Sequence, residues 1–252
     1  MSELVTIAQE AGELLRYAMD PNDSPFQNKR YSSLMTQLYT SERFKEVFEN
    51  LAVGLQINIL GYSQHGVFIA GRDRSPFAFK LEDYKGSMKA EERVIHGLLM
   101  LAIAAFCFPT IEVLDQDDDI LRPRFTVDQV VEFVQGLCKV CKANTPGDPE
   151  AGQQDLLSVW HAILLLPTSK PTPRGGDKQS TVSLAGMLQY ALDRLADYGM
   201  MRFIEKGEKN WGVYQPNPAY RIQVKKLAGN QTFRLIQEIR QQATETEGKA
   251  NG

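Results

Sequence analysis

Cysteine is scarce here: three residues in 252. An odd and small number, behind an N-terminus that does not look like a secretion signal, predicts reduced thiols rather than a disulfide framework. The opening stretch "MSELVTIAQEAGELLRYAM" carries acids and no compact apolar core, so it is not expected to be a signal peptide. Long apolar runs are missing too. The most apolar one, "VIHGLLMLAIAAFCF" (Val94–Phe108), has fifteen residues and includes His96. A bilayer span needs roughly twenty, so a buried helix is the expectation, in a cytoplasmic protein with no membrane partner.

The signatures of catalysis are also missing. There is no GxxxxGK[ST] phosphate loop, no HExxH and no GxSxG elbow. The three histidines, His65, His96 and His161, lie far apart in the chain. Their expected places are a hairpin turn, an apolar helix, and a helix beside Trp160. Cys138 and Cys141 form a "CKVC" pair within a helical pattern, but a structural zinc wants four ligands and no second pair exists. The tract "DQDDD" lacks the glycine and distant glutamate of a calcium loop. The residues therefore predict no catalytic site, no metal and no cofactor.

What is present is a helix-and-hairpin grammar, with 43% hydrophobic and 23% charged residues, in proportions that support a core. Leu4, Ile7, Ala8, Ala11, Leu14 and Leu15 fall at helical spacing, and "MDPNDSP" then breaks the helix. Leu34, Leu38, Phe44, Val47, Phe48 and Leu51 resume it, with Ser41 as a cap between two helices and Gly54 closing the second. "LQINILGYSQHGVFIAG" reads as a hairpin in which Gly61 and Gly66 serve the turn. Helices are predicted again from about Met88 to Pro109 and from Thr126 onward. Asn144–Gln154 reads as a linker.

The same order recurs nearer the C-terminus. "DLLSVWHAILLLP" is apolar nearly all round and is expected to be central. A polar loop follows, then a helix ended by Gly199, the strand "MMRFIE", the turn "KGEKN", and "WGVYQP" with more strand toward Val224. A last helix, "NQTFRLIQEIRQQA", precedes a polar tail expected to be disordered. The predicted fold class is mainly α with small β-hairpins (α+β), as tandem winged helices. The expected domains are an N-terminal winged helix at 1–86, a helical connector at 87–150, a C-terminal winged helix at 151–228, and a helix with tail at 229–252.

Charge decides what such a scaffold could hold. The chain is net −3, but residues 1–150 carry 15 basic and 22 acidic side chains, whereas 151–252 carry 13 and 9. A groove-reading helix normally offers Arg, Lys, Asn or Gln. The helix at 182–198 offers Gln189, Asp193, Arg194 and Asp197, which is poor equipment among phosphates. Basic residues cluster around it instead: Lys170, Arg174 and Lys178 in the preceding loop, Arg202, Lys206 and Lys209 with Trp211 in the hairpin, then Arg221, Lys225 and Lys226. These are the candidates for sequence-independent contact with a DNA backbone; a solvated basic face is the competing reading.

The N-terminal stretch "ELLRYAMDPNDSPFQNKRYSSLMTQLYTSERFKEVFENLAVGLQINILGYSQHGVFIAG" runs helix, acidic-proline connector, helix, aromatic-bearing helix ending in "GL", then a hairpin with "GVFI". With "EERVIHGLLMLAIAAFCFP" it resembles the kite subunits (kleisin-interacting tandem winged-helix elements) of bacterial SMC complexes. The likeness is to the MukE and MksE type, and most of all to the accessory subunit of Wadjet plasmid-defence systems. The resemblance implies a non-catalytic homodimer that binds a kleisin, and through it an SMC ATPase. It also implies backbone contact with DNA at the nucleoid, in plasmid defence or chromosome organisation. A stand-alone winged-helix transcriptional regulator is the alternative.

Overall fold

The computed structural model describes residues 3–21, 23–72, 75, 84–116, 122–143, 151–169, 182–207, 211–227, 233–238 and 240, with the backbone alone at 143, 151–157 and 227. The chain is mainly helical with small antiparallel sheets and divides into two compact units, Met1–Gly86 and Ser87–Gly252.

The first unit contains α1 (Glu3–Met19), α2 (Lys29–Thr40), α3 (Glu42–Gly54), β1 (Ile57–Ser63) and β2 (Gly66–Gly71). Asn28 starts α2, its side chain accepting from Arg30 N at 3.0 Å and Tyr31 N at 3.2 Å, which satisfies two orphan donors of the first turn. Ser41 caps α3 by accepting from Phe44 N at 3.2 Å, in the role its sequence position predicts. The buried residues follow the helical period: Tyr31, Leu34, Met35 and Leu38 on α2, and Phe44, Phe48 and Ala52 on α3. They meet Ala11, Leu14 and Leu15 of α1 and Ile57 and Val67 of the hairpin in one core. Removing a buried aromatic such as Phe48 costs about 3–5 kcal/mol.

The hairpin differs in detail from the sequence expectation. Ser63 pairs with Gly66, so the turn is only Gln64-His65, and Gly61 lies inside β1 at an irregularity in register between Ile59 and Gly61. Gly66 alone of these two has a left-handed φ, +121°. Past α3 the left-handed residue is Gln56 (φ 56°), not Gly54.

The second unit contains α4 (Ala90–Cys107), α5 (Ile111–Asp115), β3 (Phe125–Thr126), α6 (Val127–Ala143), α7 (Ala151–Leu165), α8 (Leu184–Asp197), β4 (Met201–Lys206), β5 (Gly212–Pro216) and α9 (Pro218–Leu227). Its sheet has the order β3-β5-β4, antiparallel throughout. Phe125 and Thr126 are thus strand rather than the start of a helix. Thr126 still caps α6: its hydroxyl accepts from Gln129 N at 3.4 Å while Gln129 Oε1 accepts from Thr126 N at 2.9 Å.

Within the second unit α4 and α6 pack with α7 and α8, and β3 completes the sheet. Two expectations change here. Helix α7 is not enclosed all round: Trp160 and Ile163 are buried, but His161 is exposed and Leu165 is 73% exposed. The stretch toward Val224 is helix α9, which buries Tyr220 and Val224, four residues apart. Beyond it, residues 233–238 are helical, with Phe233 and Ile236 buried and Gln237 Nε2 donating to Phe108 O at 3.0 Å.

Candidate nucleic-acid interface

The β4–β5 hairpin joins the C-terminal end of α8 through a tight turn at Gly199, where Met200 N donates to Leu195 O at 2.8 Å. Four proposed contact residues, Lys170, Arg174, Lys178 and Lys209, lie outside the described residues. The other six do not share one environment.

Arg202 and Lys206 are exposed on β4, and Lys226 is exposed near the end of α9. Lys225 is exposed but pairs with Asp115 Oδ1 at 2.9 Å, a surface pair of the sort worth under ~1 kcal/mol. Trp211 is only 4% exposed and packs into the unit, so it offers no face for stacking. Arg221 is 9% exposed, and its Nη1 donates to the carbonyls of Leu114 (3.1 Å) and Gln116. Its guanidinium therefore serves the C-terminal end of α5, where orphan carbonyls and the helix dipole favour a cation. Arg122 does the same, with Nη2 donating to Val113 O at 2.6 Å. Trp211 and Arg221 drop out of the contact set for this reason: burial and internal bonding remove them from any phosphate.

A bulge divides what remains on β4. Arg202 pairs with Gln215 and Lys206 with Gly212, with the register shifting between Phe203 and Glu205. Paired residues point to the same side, and successive residues alternate. Because Gln215 and Gly212 are three apart, Arg202 and Lys206 project from opposite faces. Simple alternation along "RFIEK" would have put them together.

On α8, all four polar residues expected to face a groove are engaged within the protein. Gln189 Oε1 accepts from Gly212 N at 2.9 Å, and its Nε2 donates to Asp193 Oδ1 at 2.9 Å and to the Tyr214 hydroxyl. Tyr214 donates to Asp193 Oδ1 at 2.5 Å. Burial first, and the Asp193 carboxylate second, push the Tyr214 phenol well above its ordinary range, so it remains a donor. Arg194 lies over the Tyr190 ring, 5.4 Å from its centroid, and reaches Asp197 at 3.2 Å. In the first unit, Glu42, Glu46 and Glu49 are exposed along one stripe of α3. A carboxylate stripe there opposes a phosphate backbone.

The remaining candidates for chemistry are dispersed. His65 faces Phe26, 5.4 Å between ring centroids, and His96 is buried against Tyr190. Burial pushes the thiols up, to about 12 for Cys138 and about 11 for Cys141, so both are neutral and poor ligands as they stand. Among the described residues no group of three His, Cys, Asp or Glu side chains is placed to hold a metal. No described helix is long and apolar enough to cross a membrane.

No protein-family model matches the chain, and no curated protein matches it.

Proposed function

We propose that this protein is a kite-like accessory subunit of an SMC-type complex: a dimer of tandem winged helices that binds a kleisin and makes weak, sequence-independent contact with DNA. The ATPase would be a separate subunit reached through the kleisin. Plasmid defence or chromosome organisation would be the outcome of the whole assembly at the nucleoid.

The layout supports the winged-helix reading. The first unit runs three helices into a hairpin. The second brings a short strand against the hairpin in the order β3-β5-β4, with α8 leading directly into β4. The observation that carries the functional reading is the state of the two helices, α3 and α8, that a winged-helix fold would turn toward a groove. The polar groups of α8 are bonded to its own hairpin or to one another, and α3 presents carboxylates. Neither helix is equipped to read bases, which favours a scaffold that holds protein.

Backbone contact falls to the hairpin in this reading. Arg202 and Lys206 on opposite faces suit an edge-on approach, in which each side chain meets a different phosphate row.

Co-expression with the neighbouring coding sequences tests the assembly. Recovery of a stable complex with a kleisin-like and an SMC-like product is expected. Purification with neither, together with tight binding to its own promoter, would replace this reading with a stand-alone regulator. Duplex contact is tested separately, by charge reversal at Arg202, Lys206 and Lys226 in the assembled complex at low salt. Unaltered affinity would remove it.

A further inference from the structure

Tyr214 is the hub of the second unit's sheet. It is fully buried, pairs with Phe125 on β3 and Phe203 on β4, and stands edge-on to Phe203 at 5.7 Å. Its hydroxyl is the one polar point of this side chain, and it reaches out of the sheet to α8, where Gln189 donates to it and Asp193 accepts from it. Gln189 closes the circuit by accepting from Gly212 N. Gly212 has to be glycine here, since a Cβ would stand 2.5 Å from the Tyr214 ring and hydroxyl. Two residues of one helix and two of one strand are thus joined by three hydrogen bonds across a junction that apolar packing alone could have filled.

The hairpin is already held by β3 along one edge of β5 and by its buried side chains. The circuit adds directed hydrogen bonds to α8, and these fix an angle that hydrophobic contact does not. We propose that Tyr214, Gln189 and Asp193 act as positioning residues that lock the β4–β5 hairpin to α8, so that Arg202 and Lys206 are presented to a duplex at a set angle. The inference rests on the duplex-contact reading above and deepens it. It also explains why α8 holds polar residues at positions 189 and 193 without offering them to a groove.

The test uses the full chain and three substitutions, with a fluorescent random-sequence duplex as the probe. Tyr214→Phe keeps the ring and removes the hydroxyl. Asp193→Ala and Asp193→Asn remove the same charge, but the asparagine keeps an acceptor for Tyr214, so their difference isolates the hydrogen bond from electrostatics. Trp211, adjacent to Gly212, reports hairpin placement through its emission, with Trp160→Phe as the background.

Tyr214→Phe and Asp193→Ala are expected to shift Trp211 emission to the red and weaken duplex binding by about tenfold, the scale of one hydrogen bond. Asp193→Asn should stay near the parent in both readouts. Folded Tyr214→Phe and Asp193→Ala proteins with parental emission and affinity would overturn the proposal. If Tyr214→Phe fails to fold, the Asp193 pair decides. If Arg202 and Lys206 prove irrelevant to duplex binding, the duplex reading fails, and Trp211 emission alone then decides whether the circuit positions the hairpin.

Discussion

The hydroxyl of Tyr31 accepts a hydrogen bond from Val67 N at 3.0 Å, and the same oxygen occupies the space a side chain at Gly66 would need. One tyrosine on α2 thereby fixes where β2 begins. Its ring stacks on Tyr17 of α1, with centroids 5.0 Å apart and planes 9° apart, so α1, α2 and β2 meet at this residue.

Gly66→Ala is accordingly expected to be severe. The new Cβ would lie 2.4 Å from Tyr31 Oη at a φ of +121°. Left-handed strain alone costs about 1–3 kcal/mol, and the clash adds to it. Tyr31→Phe leaves a buried N–H without its acceptor, at about 1–3 kcal/mol. Chemical denaturation of the two variants should place Gly66→Ala at or below Tyr31→Phe; a parental midpoint for either would contradict the geometry.

Acid should loosen the same unit. Arg30 bonds Glu13, and that hydrogen bond chiefly holds the Glu13 carboxyl below its ordinary range. A folded pKa below the unfolded one means the unfolded chain binds the proton more readily. The contribution is complete above the ordinary glutamate range and fades as pH falls through the folded pKa. The pair is exposed enough that its effect should be under ~1 kcal/mol. Thermal melts from pH 7 downward should show Arg30→Ala converging on the parent as the carboxyl protonates.

The C-terminal helical stretch should prove essential to the second unit. Arg240 Nη1 donates to Ala105 O at 2.6 Å and Phe106 O at 3.1 Å, and its guanidinium lies 5.1 Å from the Phe133 ring centroid. It serves the last carbonyls of α4, which burial would otherwise leave uncompensated. Arg240→Ala should cost about 1–3 kcal/mol. Truncation before Phe233 should cost more, since Phe233 and Ile236 are lost as well. Denaturant midpoints of the two variants check the order.

The cysteines should be slow to react in the folded protein. Cys138 and Cys141 are buried thiols pushed to about 12 and about 11, and burial also raises Cys107. Alkylation needs the thiolate. At pH 8 iodoacetamide should modify neither Cys138 nor Cys141 until denaturant is added; fast native labelling of either would mean that α6 opens readily.

Much of the first unit was legible because its signals are local. Ser41 caps the helix it precedes, Leu34 and Leu38 repeat at helical spacing, and "GVFI" returns a hairpin. Neighbours in sequence set each of these features. The second unit was harder where two periods fit the same residues. Tyr220 and Val224 lie four apart, which suits both one face of a strand and one face of a helix. Pro218 at the first helical position favours α9, and packing against α5 decides it. Phe125 and Thr126 could not be recognised as strand without β5, whose matching residues come some ninety positions later.

The sequence by itself determined the alternation of helices and hairpins, the acidic character of the helix at 182–198, and the basic character of what surrounds it. Composition and period belong to each residue and its near neighbours. The tertiary structure alone decided which charges are available. It buried Arg221 against α5, tied Gln189 and Asp193 to Tyr214, and used a bulge to turn Arg202 and Lys206 to opposite faces. A side chain's charge is written in the sequence, but whether it meets solvent depends on distant partners that only folding brings beside it.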